Sequence, residues 1–252
     1  MSVDQWAGPS ALWAGVSAPW RAFRLLARQP ALWPLCLLPT LINVVLLGAF
    51  VFGLFTHLPG WLEAWLPRGE GWWWAWLYYL ALVVAGLLAL GVGLLLLASL
   101  GRVLAAPFLD VLARRVEVVV SGAPAPPGPG PLATVARVLR QEALKLLLYA
   151  ALTLALTFLG LLAPLLGGAA SAALGWLLTA FFLALEFMDY PLERRGLGLG
   201  GKIAAVWRTT PGWLGLGGAL MALGLIPLLN LLFLPLAAVA GTLYYLESRS
   251  TN

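Results

Sequence analysis

The chain has 252 residues, of which 62% are hydrophobic and 10% charged, and its mean hydropathy is +0.94. This composition excludes an ordinary soluble domain and predicts an integral membrane protein whose main partner is the lipid bilayer. The formal net charge of +5 does not indicate a nucleic-acid partner, because the basic residues lie between apolar segments and not on one soluble basic face.

Residues 10–28 are predicted to form a basic amphipathic helix. One stripe at helical spacing is apolar and the opposite stripe is polar; the first consists of Trp13, Val16, Trp20, Phe23 and Ala27, the second of Ser17, Arg21, Arg24 and Arg28. Such a helix either lies on the membrane surface or packs on the protein's own membrane domain, and the sequence leaves both interpretations open.

Two stretches are long enough to be full transmembrane helices. The first runs from Pro34 to about His57 and contains Asn43, and the second begins at a belt of tryptophans at 72–76 and continues to about Gly101. Small residues occupy every fourth position of the second stretch, at Ala81, Ala85, Ala89 and Gly93. Because small residues let another helix approach closely, this stripe favours a homo-oligomer.

The segment after Arg102 is expected to be cytoplasmic. A helix is predicted to begin at Pro107 and to end near Gly122, since proline suits a first helical turn and glycine a helix end. Residues 121–131 are rich in proline and glycine and predict an exposed loop. A second amphipathic helix, at about 132–145, is expected to lead back to the membrane.

Two long apolar segments are predicted to be helical hairpins. Residues 213–246 contain no charge, but Pro227, Asn230 and Pro235 divide them into arms of about 12 to 15 residues, shorter than the roughly 20 needed to cross. Residues 144–187 repeat this pattern around an uncharged break at 163–168. Each hairpin therefore either dips into the bilayer or crosses it, since a break can stay at membrane depth if protein surrounds it.

The distribution of basic residues predicts the topology. Fourteen of the fifteen lysines and arginines fall on one side of the proposed segments, and only the 57–71 loop is strongly committed to the other side. The positive-inside rule makes the basic side cytoplasmic, with both termini in the cytoplasm. We expect residues 1–252 to form a single all-α membrane domain.

Four polar residues in or near apolar segments are candidate pore or structural residues. Glu186 and Asp189 follow the second arm of the first hairpin, and Asp189 either serves a pore or caps the next turn and pairs with Arg194 or Arg195. Asn43 and Asn230 lie beside helix-breaking prolines, where freed backbone groups need partners.

Four short stretches resemble the CysZ sulfate permease family and the wider etoposide-induced-protein membrane superfamily. They are residues 38–43 (Leu-Pro-Thr-Leu-Ile-Asn), 105–108 (Ala-Ala-Pro-Phe), 189–191 (Asp-Tyr-Pro) and 226–230 (Ile-Pro-Leu-Leu-Asn) followed by Pro235. The resemblance extends from about Gly15 to Leu246. It implies a bacterial inner-membrane protein with two full spans and two hemi-penetrating hairpins, assembled as an oligomer that admits sulfate for cysteine synthesis.

The resemblance also implies an anion-binding turn. Members of the family carry Gly-Leu-Arg or Gly-Ile-Arg after a proline at the mouth of the first span, where amides and a guanidinium can hold a dianion. In this chain Pro30 is followed by Ala31, Leu32 and Trp33. The resemblance therefore assigns Ala31 and Leu32 to the turn, and Arg28 is the nearest residue that could replace the missing guanidinium.

Two functions remain open at this point. One is a passive channel or permease for sulfate or a related anion, in which basic residues and helix ends offset dehydration of the ion. The other is a non-transporting protein that organises or shapes the bilayer. The sequence shows no cluster of His, Cys and carboxylates with metal-ligand spacing and no nucleophile beside a plausible base, so we expect no metal, no cofactor and no enzyme activity.

Overall fold

The structure is a computed structural model that describes residues 9–65, 71–122, 131–162, 167–226 and 232–250. The regular elements in these ranges are helices, which confirms the all-α prediction. In chain order they are α1 (Pro9–Arg28), a 3-10 turn (Pro30–Leu32), α2 (Trp33–Trp65), α3 (Trp72–Ser121), α4 (Pro131–Leu162), α5 (Gly167–Arg194), α6 (Leu199–Trp207), α7 (Gly212–Gly224) and α8 (Phe233–Ser250).

Four of the described helical segments are long and apolar enough to cross a membrane. They are Pro30–Ala64, Trp72–Leu94, Arg140–Leu162 and Gly168–Arg194, with 35, 23, 23 and 27 residues. The first two agree with the predicted full spans. The last two are the arms of the first hairpin, so the expectation that both hairpins have arms too short to cross is wrong for this one.

The remaining differences concern where helices begin. The helix expected to start at Pro107 is instead the end of α3, which continues through that proline to Ser121. A proline removes one backbone hydrogen bond, but the residues on both sides of Pro107 favour helix strongly enough to continue it. Similarly, the predicted amphipathic helix at 132–145 and the first hairpin arm form one helix, α4.

Several predicted features lie outside the described residues. These are Asn230, the two hairpin breaks at 163–166 and 227–231, most of the 121–131 loop, and residues 66–70 of the loop between the first two spans.

The chain divides into two compact units, Met1–Cys36 with Leu109–Asn252, and Leu37–Phe108. One membrane domain over residues 1–252 stays a prediction. Within the Leu37–Phe108 unit, glycines of α3 receive side chains of α2: the Phe50 ring lies where Gly93 would carry a Cβ, and Asn43 lies against Gly101 in the same way. Gly93 of the small-residue stripe thus serves packing within one chain.

The larger unit has a core of closely packed helices. Gly15 of α1 lies against the backbone of Gly212 in α7, and Gly215 lies against the backbone of Leu12, so a side chain at either glycine would collide with main-chain atoms. Helix α7 meets α5 in the same way, where Gly217 touches the backbone of Ala180. Contacts of this kind hold α1 on α7, as the packing interpretation of the amphipathic helix expected.

The face of α1 that packs within the protein is not its aromatic stripe. Its buried residues are small, namely Ala11, Gly15, Ala18, Pro19 and Ala22. The aromatic stripe is exposed, with Trp13 at 67%, Trp20 at 55% and Phe23 at 50%. Small side chains are buried at this contact because they allow the backbones of two helices to approach, which tryptophan does not.

Candidate functional site

The predicted anion-binding residues lie on the turn that joins α1 to α2. Arg28 ends α1 and is exposed, and Ala31 is exposed on the 3-10 turn. Leu32 has a buried side chain, and its backbone N–H donates to the Gln29 carbonyl at 3.0 Å. Leu32 therefore fixes the shape of the turn, while Arg28 and Ala31 face solvent.

A residue that the sequence analysis did not select also reaches this turn. Arg115 of α3 donates from Nη1 to the Ala31 carbonyl oxygen at 3.5 Å, although the two residues are 84 positions apart in sequence. Its guanidinium is exposed, as is that of the neighbouring Arg114. In the part of the chain that the structure describes, no ion pair is formed by Arg28, Arg114 or Arg115. The positive charge of these arginines is therefore not neutralised by a described carboxylate.

Trp33 occupies the position at which relatives were expected to carry an arginine. Its indole Nε1 donates to the Leu26 carbonyl at 3.0 Å, and the side chain is 43% exposed. The indole thus ties the end of α1 to the start of α2. It supplies no positive charge, whereas Arg115 of α3 brings a guanidinium to the neighbouring Ala31 carbonyl.

Glu186 and Asp189 belong to a second polar cluster, here called the acid–lysine network. It consists of two buried lysines between four carboxylates: Lys145 and Glu142 from α4, Glu186, Asp189 and Glu193 from α5, and Lys202 from α6. Lys145 binds Glu186 and also Glu142, the latter at 2.7 Å. Lys202 is 2% exposed and binds Asp189 and Glu193, each at 2.5 Å.

Each buried ammonium in this network is satisfied by two carboxylates, as a buried charge requires. A cavity of about 10 Å³, room for about one water molecule, lies among Gln141, Glu142, Lys145, Asp189, Leu199 and Lys202. Four carboxylates against two amines give the network a formal charge of −2. The formal charge of this network is therefore opposite in sign to that of the arginines at the α1–α2 turn.

The arginines expected to pair with Asp189 bind other residues. Arg194 donates from Nε to Glu117 at 2.9 Å and from Nη1 to Asp110 at 2.6 Å, and Arg195 donates to Glu117 at 2.9 Å. Helix α5 continues to Arg194, and five helical positions place Asp189 and Arg194 on different faces, at about 100° per residue. The expected capping of a following turn by Asp189 is therefore wrong.

The two asparagine candidates do not join either polar cluster in the described residues. Asn43 lies in the Leu37–Phe108 unit against Gly101, and Asn230 is outside the described residues. Among the residues that the structure describes, no group of three His, Cys, Asp or Glu side chains could hold a metal ion.

Comparison with known proteins shows extended similarity to one family. The sequence model described as sulfate transporter CysZ/etoposide-induced protein 2.4 matches residues 18–235. The sulfate transporter CysZ of Vibrio parahaemolyticus is 31% identical over 219 residues, covering 86% of this chain and 88% of the relative. The proteins of the same name from Pectobacterium atrosepticum and Salmonella typhimurium are each 29% identical, covering 91% and 88% of this chain and 82% and 88% of the relatives.

Proposed function

The chain belongs to the sulfate transporter CysZ/etoposide-induced protein 2.4 family, and we propose that it is a multi-pass permease for sulfate or a closely related small anion. The observation that carries this proposal is the similarity to proteins named sulfate transporters over most of the chain. The four long apolar helices provide the membrane-embedded body that such a protein needs. The family is one of transporters and not of enzymes.

The anion is proposed to bind at the α1–α2 turn. Arg28 and Arg115 supply positive charge, and the Ala31 backbone lies at the N-terminal side of α2, where the helix dipole favours an anion. Both arginines are exposed. Exposure weakens each contact by solvent screening, and weak binding suits a permease because the ion must leave again.

Glu186 and Asp189 are proposed to be structural and not part of the anion path. They neutralise Lys145 and Lys202 and join α4, α5 and α6. An anion path through this network would need to pass a formal charge of −2, which opposes entry. Asn43 is also assigned a structural role, because its side-chain amide packs against Gly101 between α2 and α3.

The location and assembly are proposed from the charge distribution and the family. We place the protein in the bacterial inner membrane with both termini in the cytoplasm, because fourteen of fifteen basic residues fall on that side. A homo-oligomer is proposed from the small residues Ala81, Ala85 and Ala89, although Gly93 of that stripe is occupied by Phe50 of the same chain.

Flux of radiolabelled sulfate into liposomes containing the purified chain tests the function. The wild-type protein is expected to admit sulfate, and Arg115→Gln to weaken apparent sulfate affinity by about tenfold, the value of one charge-assisted hydrogen bond. Trp33→Arg adds a guanidinium at the turn and is expected to raise flux. The matched control is Arg24→Gln, which removes an exposed arginine of α1 outside the proposed site.

Two results would contradict the proposal. If wild-type protein of verified orientation passes no sulfate, thiosulfate or chloride, and Trp33→Arg does not restore flux, the protein organises the bilayer without transport. If sulfate passes but Arg115→Gln and Arg24→Gln behave alike, the permease function stands and the proposed binding turn is wrong.

A further inference from the structure

Helix α1 has three different faces. At about 100° per residue its small, aromatic and basic side chains form separate stripes, and the small and aromatic stripes lie roughly opposite each other. The small residues are buried against the rest of the larger unit, whereas Trp13, Trp20 and Phe23 are each at least half exposed. Because the small face packs on α7, the aromatic face points away from the protein.

The basic residues beside the aromatic face differ in what they bind. Arg21 forms an ion pair with Glu247, with Nη2 and Oε2 2.9 Å apart, and donates from Nη2 to the Ala14 carbonyl at 2.7 Å, so its guanidinium is used within the protein. Arg24 is exposed and lies over the Trp20 ring, with its Cζ 5.1 Å from the ring centroid. Trp20 in turn stacks on Phe23, with ring centroids 5.6 Å apart.

The Arg24 guanidinium is therefore positioned, and no carboxylate of the described residues forms an ion pair with it. A cation over an aromatic ring is attracted by the face of the ring, while the N–H groups at the edge of the guanidinium plane stay able to donate. Those N–H groups form a planar fork that fits two oxygens of a phosphate. The positions i, i+3 and i+4 of Trp20, Phe23 and Arg24 make the three side chains neighbours on one helix surface.

We propose that the Trp20–Phe23–Arg24 face lies on the bilayer surface and binds the phosphate of an anionic phospholipid. A bilayer surrounds this protein, since four of its described helices are long and apolar enough to span one. Tryptophan and phenylalanine on an amphipathic helix lie at the boundary between headgroups and acyl chains, and arginine pairs with the headgroup phosphate there. Selection of an anionic over a zwitterionic lipid follows from the unneutralised charge of Arg24.

The proposal is tested by the relative binding of phosphatidylglycerol and phosphatidylcholine to the full chain purified in detergent, measured by native mass spectrometry. Wild-type protein is expected to prefer phosphatidylglycerol. Arg24→Gln is expected to lower this preference about fivefold, the effect of one basic residue at an anionic surface, and Arg24→Lys to keep most of it. Trp20→Leu is expected to weaken binding of both lipids, because the indole ring would contact the headgroup and acyl-chain boundary of either lipid.

The matched control is Arg208→Gln, which removes the same charge from an exposed arginine outside both proposed sites and is expected to leave the lipid preference unchanged. Equal preferences in Arg24→Gln and Arg208→Gln would overturn the proposal. So would displacement of phosphatidylglycerol by free sulfate, which would make Arg24 a general anion site. If Arg24→Gln does not fold, salt titration of the wild type replaces it, and a lipid preference independent of salt would overturn the proposal. Sulfate flux does not enter this readout, so failure here leaves the permease function intact.

Discussion

The two hairpins have the same sequence pattern and opposite roles in the structure. The α4–α5 hairpin has helices of 32 and 28 residues, and only 6% and 22% of their candidate spans are buried inside the protein. In the α7–α8 hairpin the helices have 13 and 18 residues, and α8 is buried continuously from Leu236 to Tyr245. The first has mostly exposed apolar faces, and the second belongs to the core.

The different burial of the two hairpins shows that an apolar segment does not have to face lipid. Helix α7 carries Gly212, Gly215 and Gly217, each in backbone contact with another helix. The exposed faces of α4 carry leucine and phenylalanine, such as Leu147, Leu154 and Phe158. Glycine favours packing of a helix in the core because it lets two backbones approach closely. Leucine is as stable against lipid tails as against other apolar side chains.

The largest expected difference between the hairpins is in access from outside. Single cysteines at Gly168 and Leu225, in a background with Cys36→Ala, report the far ends of α5 and α7. A span of 23 residues crosses a core of about 30 Å, but the 13 residues of α7 reach only about 20 Å. We expect a membrane-impermeant thiol reagent added outside to label Gly168→Cys and not Leu225→Cys.

The control for this experiment is Ala64→Cys, near the loop predicted to be outside, which confirms that the reagent has access. Labelling of both test positions would show that the second hairpin also reaches the surface. Protection of both would mean that the first hairpin does not cross despite its length.

The next largest effect is expected in the network that joins the first hairpin to α6. Lys202→Ala leaves Asp189 and Glu193 without their shared partner in a largely buried place. We expect a loss of about 3 kcal/mol in the free energy of unfolding, the lower end for a broken buried ion pair. Thermal unfolding in detergent measures the loss, with Arg208→Ala on an exposed side chain as control; equal stability of the two variants would contradict the structural role of the network.

A smaller effect is expected from one methyl group in the core hairpin. Gly215→Ala places a Cβ against the backbone of Leu12 and Val16, which cannot move without shifting α1. We expect a loss of about 2 kcal/mol, typical of overpacking. The matched variant is Gly175→Ala on α5, where the Cβ meets no atom within 4 Å, and its better helix propensity should raise stability by about 1 kcal/mol. The same thermal assay decides, and loss of stability in Gly175→Ala would contradict the open space found beside that glycine.

The smallest effect is expected at the polar end of α8. Burial raises the pKa of Glu247, and the nearby Arg21 only partly offsets this. A carboxyl whose pKa is raised in the folded state contributes stability below its unfolded pKa and loses it as pH rises through the folded pKa. Glu247→Gln should therefore gain about 0.5 kcal/mol over wild type at neutral pH, and the gain should disappear in acid. A melting-temperature difference that does not change with pH would contradict this.

The charge pattern and hydropathy of the chain already determined its class. They predicted an all-helical membrane protein and both full spans, because burial of apolar helices in lipid depends on local composition. Gly122 separately predicted a helix end, although the helix that ends there begins at Trp72 and not at Pro107. The family followed from motifs in the same way. The sequence left open whether the aromatic stripe of α1 faces the membrane surface or packs on the protein, and in the structure that stripe is exposed.

The sequence did not show which hairpin forms the core or which distant residues are in contact, because both depend on how the helices pack. Arg115 contacts Ala31 across 84 positions, and Asp189 binds Lys202 and not the arginines that follow it in sequence. Periodicity shows which side chains share a face of one helix, but it does not show which helices pack together. Those contacts depend on where glycines let two backbones approach, and that requires both partners to be in place.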